Sequence, residues 1–220
     1  MMGTKALIIT GGDVDYKFQI TKDYDIVIAV DGGLAAVDRM GLKPDVILGD
    51  FDTVAPDILH KYEEKDGIKI VRLVPEKDDT DTESAVRYAM KHGVTEIDVL
   101  GGTGSRFDHT YANMFLLKMA YENGVAMYLY TGLSKIYLIS GYKEYGKEDF
   151  FGTYISFIQF DGSALGVTLK GFKYDISDFD FDTKNTYRLG VSNEPLSEKA
   201  SINIREGYML VVESLEDKER

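Results

Sequence analysis

Cysteine is absent from this chain of 220 residues. Disulfides, thiolate nucleophiles and cysteine-built metal sites are therefore excluded, and the absence fits a reducing compartment. Histidine is scarce: His60, His92 and His109 are scattered, which argues against zinc. Tryptophan is missing too. Basic residues are outnumbered, with 25 Lys and Arg against 37 Asp and Glu and a formal net charge of −12. That balance argues against a broad surface for nucleic acid or anionic membrane. Long apolar runs are lacking, and Met1–Ile9 carries no signal-peptide pattern, so a cytoplasmic protein with no membrane span is expected. What is present is 44% hydrophobic residues, enough for a core. The length suits one large domain or two small ones.

The first 130 residues alternate between two patterns. Short apolar runs, Ala6–Ile9, Asp25–Val30, Val46–Leu48, Ile68–Val74, Glu96–Leu100 and Val125–Tyr130, read as buried parallel strands. Between them, Leu34–Met40, Pro56–Glu64, Asp81–His92 and Asp108–Glu122 read as helices. Thr80 and Glu83 have capping-box spacing before the third of these, and Gly41 and Gly93 are placed to end helices. Alternation of this kind predicts an α/β domain, a mainly parallel sheet flanked by helices, with right-handed crossovers. After about Leu133 helical spacing disappears. Thr153–Phe160, Gly166–Leu169, Ala200–Ile204 and Tyr208–Val212 read as strands, Asp161-Gly162 and Glu206-Gly207 as turns, and Tyr174–Asp182 as a solvated acidic loop. An all-β domain, a sandwich or open barrel, is expected there. The boundaries are expected at residues 1–133 and 134–220.

Chemistry-bearing residues gather at the expected carboxyl ends of the strands, where α/β sheets bind ligands. Asp13, Asp31, Asp50, Asp52, Asp78, Asp81, Arg106 and Asp108 come from five such ends. Gly101-Gly102-Thr103-Gly104-Ser105-Arg106 lies between a strand and a helix, a place where backbone N–H groups and a helix N-terminus favour an anion. Arg106 adds a forked charge suited to phosphate, and His109 and Asn113 share one helix face. Asp50 and Asp52, two apart, point the same way in extended backbone. Two carboxylates about 5 Å apart repel by on the order of 3 kcal/mol at an effective dielectric near 20. A shared proton could offset this, and a divalent cation such as Mg²⁺ could do it better. Carboxylates, a metal, Lys77 and Arg106 together make a site for a polyphosphate. Neither a G-x-x-x-x-G-K-[ST] element nor the protein-kinase signatures are present, and the glycine run is not a clean G-x-G-x-x-G.

Asp31-Gly32-Gly33, Pro44-Asp45 ahead of Gly49-Asp50-Phe51-Asp52, Lys77-Asp78-Asp79-Thr80-Asp81, Arg106-Phe107-Asp108-His109 with Asn113, and Gly190-Val191-Ser192-Asn193-Glu194 occur in that order. This series resembles the thiamine pyrophosphokinase (thiamine diphosphokinase) family over nearly the whole chain. The resemblance implies an α/β catalytic domain that binds ATP and Mg²⁺, followed by a β-sandwich domain that binds thiamine. It implies a homodimer with thiamine at the subunit interface, and transfer of a diphosphate unit from ATP to the thiamine hydroxyl with release of AMP. Asp50, Asp52 and Asp81 should then hold Mg²⁺, with Asp31 and Asp78 close by, and Lys77 and Arg106 should contact phosphates. Gly32, Thr80, Gly102, Thr103, Asp108, His109 and Asn113 complete the nucleotide side. Ser192 and Asn193 match the motif that faces thiamine. Thr53 stands where the family usually has serine, and Ser105 where it often has glycine.

Two other functions fit the same residues. The acceptor could be a different small alcohol, such as a pterin or a thiamine analogue. A non-catalytic nucleotide sensor would explain the glycines and Arg106 but not the massed carboxylates. In the enzyme reading the hydroxyl attacks the β-phosphorus in line, and Asp81 or Asp50 could accept its proton.

Overall fold

Ala6, Leu7, Ile8 and Ile9 are wholly buried, as expected of a strand covered on both faces. They form most of β1 (Lys5–Ile9), in the middle of a parallel sheet. The computed structural model describes residues 3–15, 20–74, 78–182 and 190–216. The chain divides into two units, Met1–Gly132 and Leu133–Arg220.

In the first unit the strands are β1, β2 (Ile26–Val30), β3 (Val46–Gly49), β4 (Lys69–Arg72), β5 (Glu96–Leu100) and β6 (Ala126–Tyr130). The helices are α1 (Gly33–Arg39), α2 (Pro56–Glu63), α3 (Asp81–Lys91) and α4 (Phe107–Glu122). The strand order is β4-β3-β2-β1-β5-β6, and every pairing in it is parallel. The chain builds outward from β1 to β4, then returns to lay β5 on the other side of β1. This reversal opens a crevice beyond the carboxyl ends of β1 and β5. The Thr80 hydroxyl caps α3 by accepting from the Glu83 N–H, so the capping signal holds. β4 lies at the sheet edge and is half exposed, with Lys69 and Arg72 charged, a common protection of an edge.

The second unit is a β sandwich. Its strands are β7 (Ser134–Ile139), β8 (Tyr142–Gly146), β9 (Tyr154–Lys170), β10 (Ile176–Phe181), β11 (Gly190–Asn193), β12 (Lys199–Asn203) and β13 (Glu206–Ser214), with a short 3₁₀ turn at Lys147–Asp149. β9 is one strand of 17 residues. Its first part pairs with β13 and β11, its second with β12 and β10. The expected reversal at Asp161-Gly162 is instead a bend within β9: both residues have positive φ, 54° and 115°, and the strand passes there from one layer to the other. Tyr174–Asp182, expected as a solvated loop, contains β10. Its acids face outward, while Phe181 is buried and stacks edge-on with Phe179. β7 and β8, unread in the sequence, flank the interior that holds Tyr145, Phe150, Phe157 and Phe172, whose rings lie 5.2–6.4 Å from their neighbours.

Candidate active site

The loops after β1 and β5 are fastened side by side. The Thr10 N–H donates to the Leu100 carbonyl (2.9 Å), Gly12 N–H to Gly101 (3.1 Å) and Asp13 N–H to Thr103 (2.7 Å). A side chain on Gly12 would meet the carbonyls of Gly101 and Thr103 at 2.2 and 2.3 Å, so only glycine fits. Gly101 has φ +73°. From below, Asn113 of α4 is buried and donates its Nδ2–H to the Gly102 carbonyl (2.7 Å), and the Thr110 hydroxyl accepts from the Gly104 N–H (3.2 Å). Asn113 thus acts first as a prop for the glycine loop.

Above these loops lies a cavity of about 480 Å³. Of the residues expected on the nucleotide side, Asp31, Thr80, Gly102, Thr103, Arg106, His109 and Asn113 line it, and so does Asp81. Gly32 sits just behind, against Gly11 and Thr53. Asp78 and Asp108 are not in the wall. Asp108 instead accepts from Arg106 Nη2 at 2.7 Å, and that guanidinium beside it holds its carboxyl below the usual range. Arg106 is 70% exposed and keeps further N–H groups for a ligand. Lys77 lies outside the described residues. Thr10, Gly12, Asp79 and Thr110 also line the cavity and were not singled out as site residues, and Asp13 was noted only among the strand-end acids. The Gly11-Gly12-Asp13 turn after β1 was the signal available for Thr10, Gly12 and Asp13.

At the ends of β2 and β3, Asp31, Asp50 and Asp52 each place a carboxylate oxygen within 4.8 Å of the others. Their convergence does not come from extended backbone. Phe51, between the two, has φ +66°, and the Asp52 N–H donates to Asp50 Oδ1 (3.1 Å), so a tight turn aims both side chains. Asp31 also has positive φ (45°) and accepts from the Thr53 hydroxyl. Its other oxygen is buried and has no hydrogen-bond partner among the described residues. The charge of Asp50, followed by loss of hydration beside its neighbours and the charge of Asp31, pushes the Asp52 carboxyl up, with Asp81 adding to the effect. Asp81, the first residue of α3, is thus near the three without being one of the tight group. Among the described residues, none of the three is in an ion pair. Three hard oxygen donors, one of them orphaned, fit a divalent cation.

In the second unit Ser192 has φ +55°, and its N–H donates to the Ser156 hydroxyl (3.0 Å). Asn193 is buried and committed to backbone. Its Oδ1 accepts from the N–H groups of Tyr174 and Glu194, and its Nδ2 donates to the Tyr174 carbonyl. It shapes the surface from beneath.

The comparisons agree with one another. Residues 18–129 match the family description "Thiamin pyrophosphokinase, catalytic domain", and residues 141–209 match "Thiamin pyrophosphokinase, vitamin B1 binding domain". Thiamine pyrophosphokinase of Bacillus subtilis (strain 168) is 27% identical over 194 residues, 88% of this chain and 89% of its own. Thiamine pyrophosphokinase 1 of Oryza sativa subsp. japonica is 38% identical over 85 residues, 36% of this chain and 32% of its own. The crystal structure of the Bacillus subtilis enzyme shares the fold at a TM-score of 0.86 and 24% identity, covering 97% of this chain and all of that one. Thiamin pyrophosphokinase from Candida albicans shares it at 0.81 and 19% identity, covering 97% and 90%. Both halves are matched in order by the two domains of one enzyme, a transferase of diphosphate, and the chain belongs to the thiamin pyrophosphokinase family.

Proposed function

We propose that the protein moves a diphosphate unit from ATP to the hydroxyl of thiamine, giving thiamine diphosphate and AMP, with Mg²⁺ as its metal. The observation that carries this is the ordered match of both family domains to one chain. The cavity supports it. Its described walls hold Asp13, Asp31, Asp79 and Asp81 against Arg106 as the one guanidinium, so a bare polyphosphate would be repelled and one carrying a divalent ion would not. Asp31, Asp50 and Asp52 would hold that ion, with Asp81 and Asp78 near it. When bound, the metal would draw charge from the phosphate oxygens. Arg106 would neutralise charge on the leaving AMP, with Lys77 in the same role. The glycine loops, Gly32, Thr80, Thr103, His109, Asn113 and Asp108 would position the nucleotide so that attack on the β-phosphorus is in line. Asp81 or Asp50 would take the hydroxyl proton.

In this proposal residues 1–133 are the ATP and metal domain and 134–220 the thiamine domain, where Ser192 and Asn193 shape the acceptor side. The chain acts as a homodimer in the cytoplasm, with the acceptor held at the subunit interface. Among the described residues no helix is long and apolar enough to cross a membrane.

The test is AMP release from Mg–ATP with and without thiamine. Thiamine-dependent AMP, with thiamine diphosphate as co-product, is the expected result. AMP only with another alcohol would overturn the substrate, ADP in place of AMP would overturn diphosphate transfer, and saturable ATP binding without turnover would overturn catalysis.

A further inference from the structure

Phe51 is the odd residue of the carboxylate turn. A bulky side chain at φ +66° is a conformation that any residue with a Cβ resists, and such outliers persist only where the surroundings hold them. The residues on either side repel each other, since the charge of Asp50 bears on Asp52. With no cation paired to them among the described residues, both strain and repulsion favour opening the turn.

Besides the Asp52 N–H bond to Asp50 Oδ1 within the turn, a side-chain contact from outside it opposes this. Arg72, on the edge strand β4, places its guanidinium carbon 5.1 Å from the centre of the Phe51 ring. Its Nη2 is fixed in turn by Glu63 Oε1 at 2.6 Å, at the end of α2. The backbone lies in register for it: Arg72 pairs with Gly49, and the Leu73 N–H donates to the Gly49 carbonyl (2.9 Å), one residue before the turn. Arg72 is more than half exposed and is not in the cavity wall. Core packing does not account for its stacking on the one ring between the two carboxylates.

We infer that Arg72 is a positioning residue: stacked on Phe51 and anchored by Glu63, it holds the strained turn that aims Asp50 and Asp52 at a divalent cation. The inference rests on the proposed cation role of the Asp31–Asp50–Asp52 group. Exposed cation–ring contacts are modest, so a small loss of ion affinity is expected from removing this one, with the fold retained.

Mn²⁺ binding to the whole protein, followed by loss of the free-ion electron paramagnetic resonance signal without nucleotide, tests it. Arg72→Ala should weaken Mn²⁺ about two- to fivefold, Arg72→Lys should keep most of the affinity, and Asp52→Asn should weaken it far more. In a Phe51→Leu background, Arg72→Ala should cost nothing further, because the shared contact is already gone. Glu63→Gln, at the far end of the relay, should act in the same direction and serves if Arg72→Ala does not fold. If Asp52→Asn weakens binding and Arg72→Ala does not, Arg72 is only a surface pair and the inference falls alone. Additive losses from Arg72→Ala and Phe51→Leu overturn the route through the ring. If Asp52→Asn binds Mn²⁺ as the wild type does, the cation site falls and the inference with it.

Discussion

Two groups of carboxylates sit on the same parallel sheet and are treated in opposite ways. Asp98, in the middle of β5, is 1% exposed. Lys22 reaches it at 2.7 Å, holds Glu96 at 2.6 Å and lies over the rings of Tyr128 and Tyr130, and the Tyr24 hydroxyl donates to the same Asp98 oxygen. Burial pulls the Lys22 ammonium down, but these acids outweigh it and hold it above its ordinary value. Asp31, Asp50 and Asp52, at the ends of β2 and β3, crowd together and gain no such partner among the described residues. A buried acid that only supports the fold must be matched, because an unmatched one costs several kcal/mol. A group left crowded and unmatched at the carboxyl ends of a sheet marks where something else completes the charge.

The contrast can be broken from either side. The largest effect is expected on turnover. Asp31→Asn or Asp52→Asn should lower thiamine-dependent AMP formation about a hundredfold or more while leaving the circular dichroism spectrum unchanged. Next comes stability at the other group. Lys22→Met leaves Asp98 buried with the Tyr24 hydroxyl but no cation, and urea unfolding should show a loss of about 2 kcal/mol, below the range for fully buried pairs because Lys22 is partly exposed. Equal destabilisation by Asp52→Asn would erase the distinction between the two groups.

Two smaller effects sharpen it. Saturating Mg²⁺ should raise the melting temperature of the wild type by several degrees and that of Asp52→Asn by much less, since only the native state holds the ion. The smallest effect is on pH. The neighbouring charge of Asp50 pushes the Asp52 carboxyl up, so it takes a proton at higher pH than a free aspartate does. Cation affinity measured by titration should therefore fall on acidification earlier than for an unperturbed carboxylate. For the ion-free protein the sign reverses: the folded state binds that proton more tightly than the unfolded state, so stability is lost as pH rises through the raised pKa and the charge returns. Asp52→Asn should flatten that part of the profile.

Much of the first unit was legible because its signals are local. Ala6–Ile9 can be buried on both faces only as an inner strand, Thr80 and Glu83 mark a helix start by spacing alone, and the motif residues flank these elements. The β unit was harder. Asp161-Gly162 carries the same residues whether the chain reverses or bends, and the outward acids of β10 hide the strand between them. At the site, the motifs pointed to Asp31, Thr80, Gly102, Thr103, Arg106, His109 and Asn113, and the fold places all seven in the cavity wall. Thr10 and Gly12 were missed because their role comes from lying beside the loop after β5, 90 residues away.

The sequence by itself determined the alternation of elements, the change from α/β to β near residue 133 and the gathering of acids at strand ends. Those follow from periodicity, turn chemistry and spacing within short windows, while the family was legible only as a resemblance carried by the ordered motifs. Only the tertiary structure decided that β5 lies against β1 and opens the crevice, that Asp31 joins Asp50 and Asp52 more closely than Asp81 does, and that Asp98 finds Lys22 at 76 residues' distance. Strand order and register set those encounters, and a carboxylate's local sequence is the same whether the partner that the fold brings to it is an ammonium or two more carboxylates.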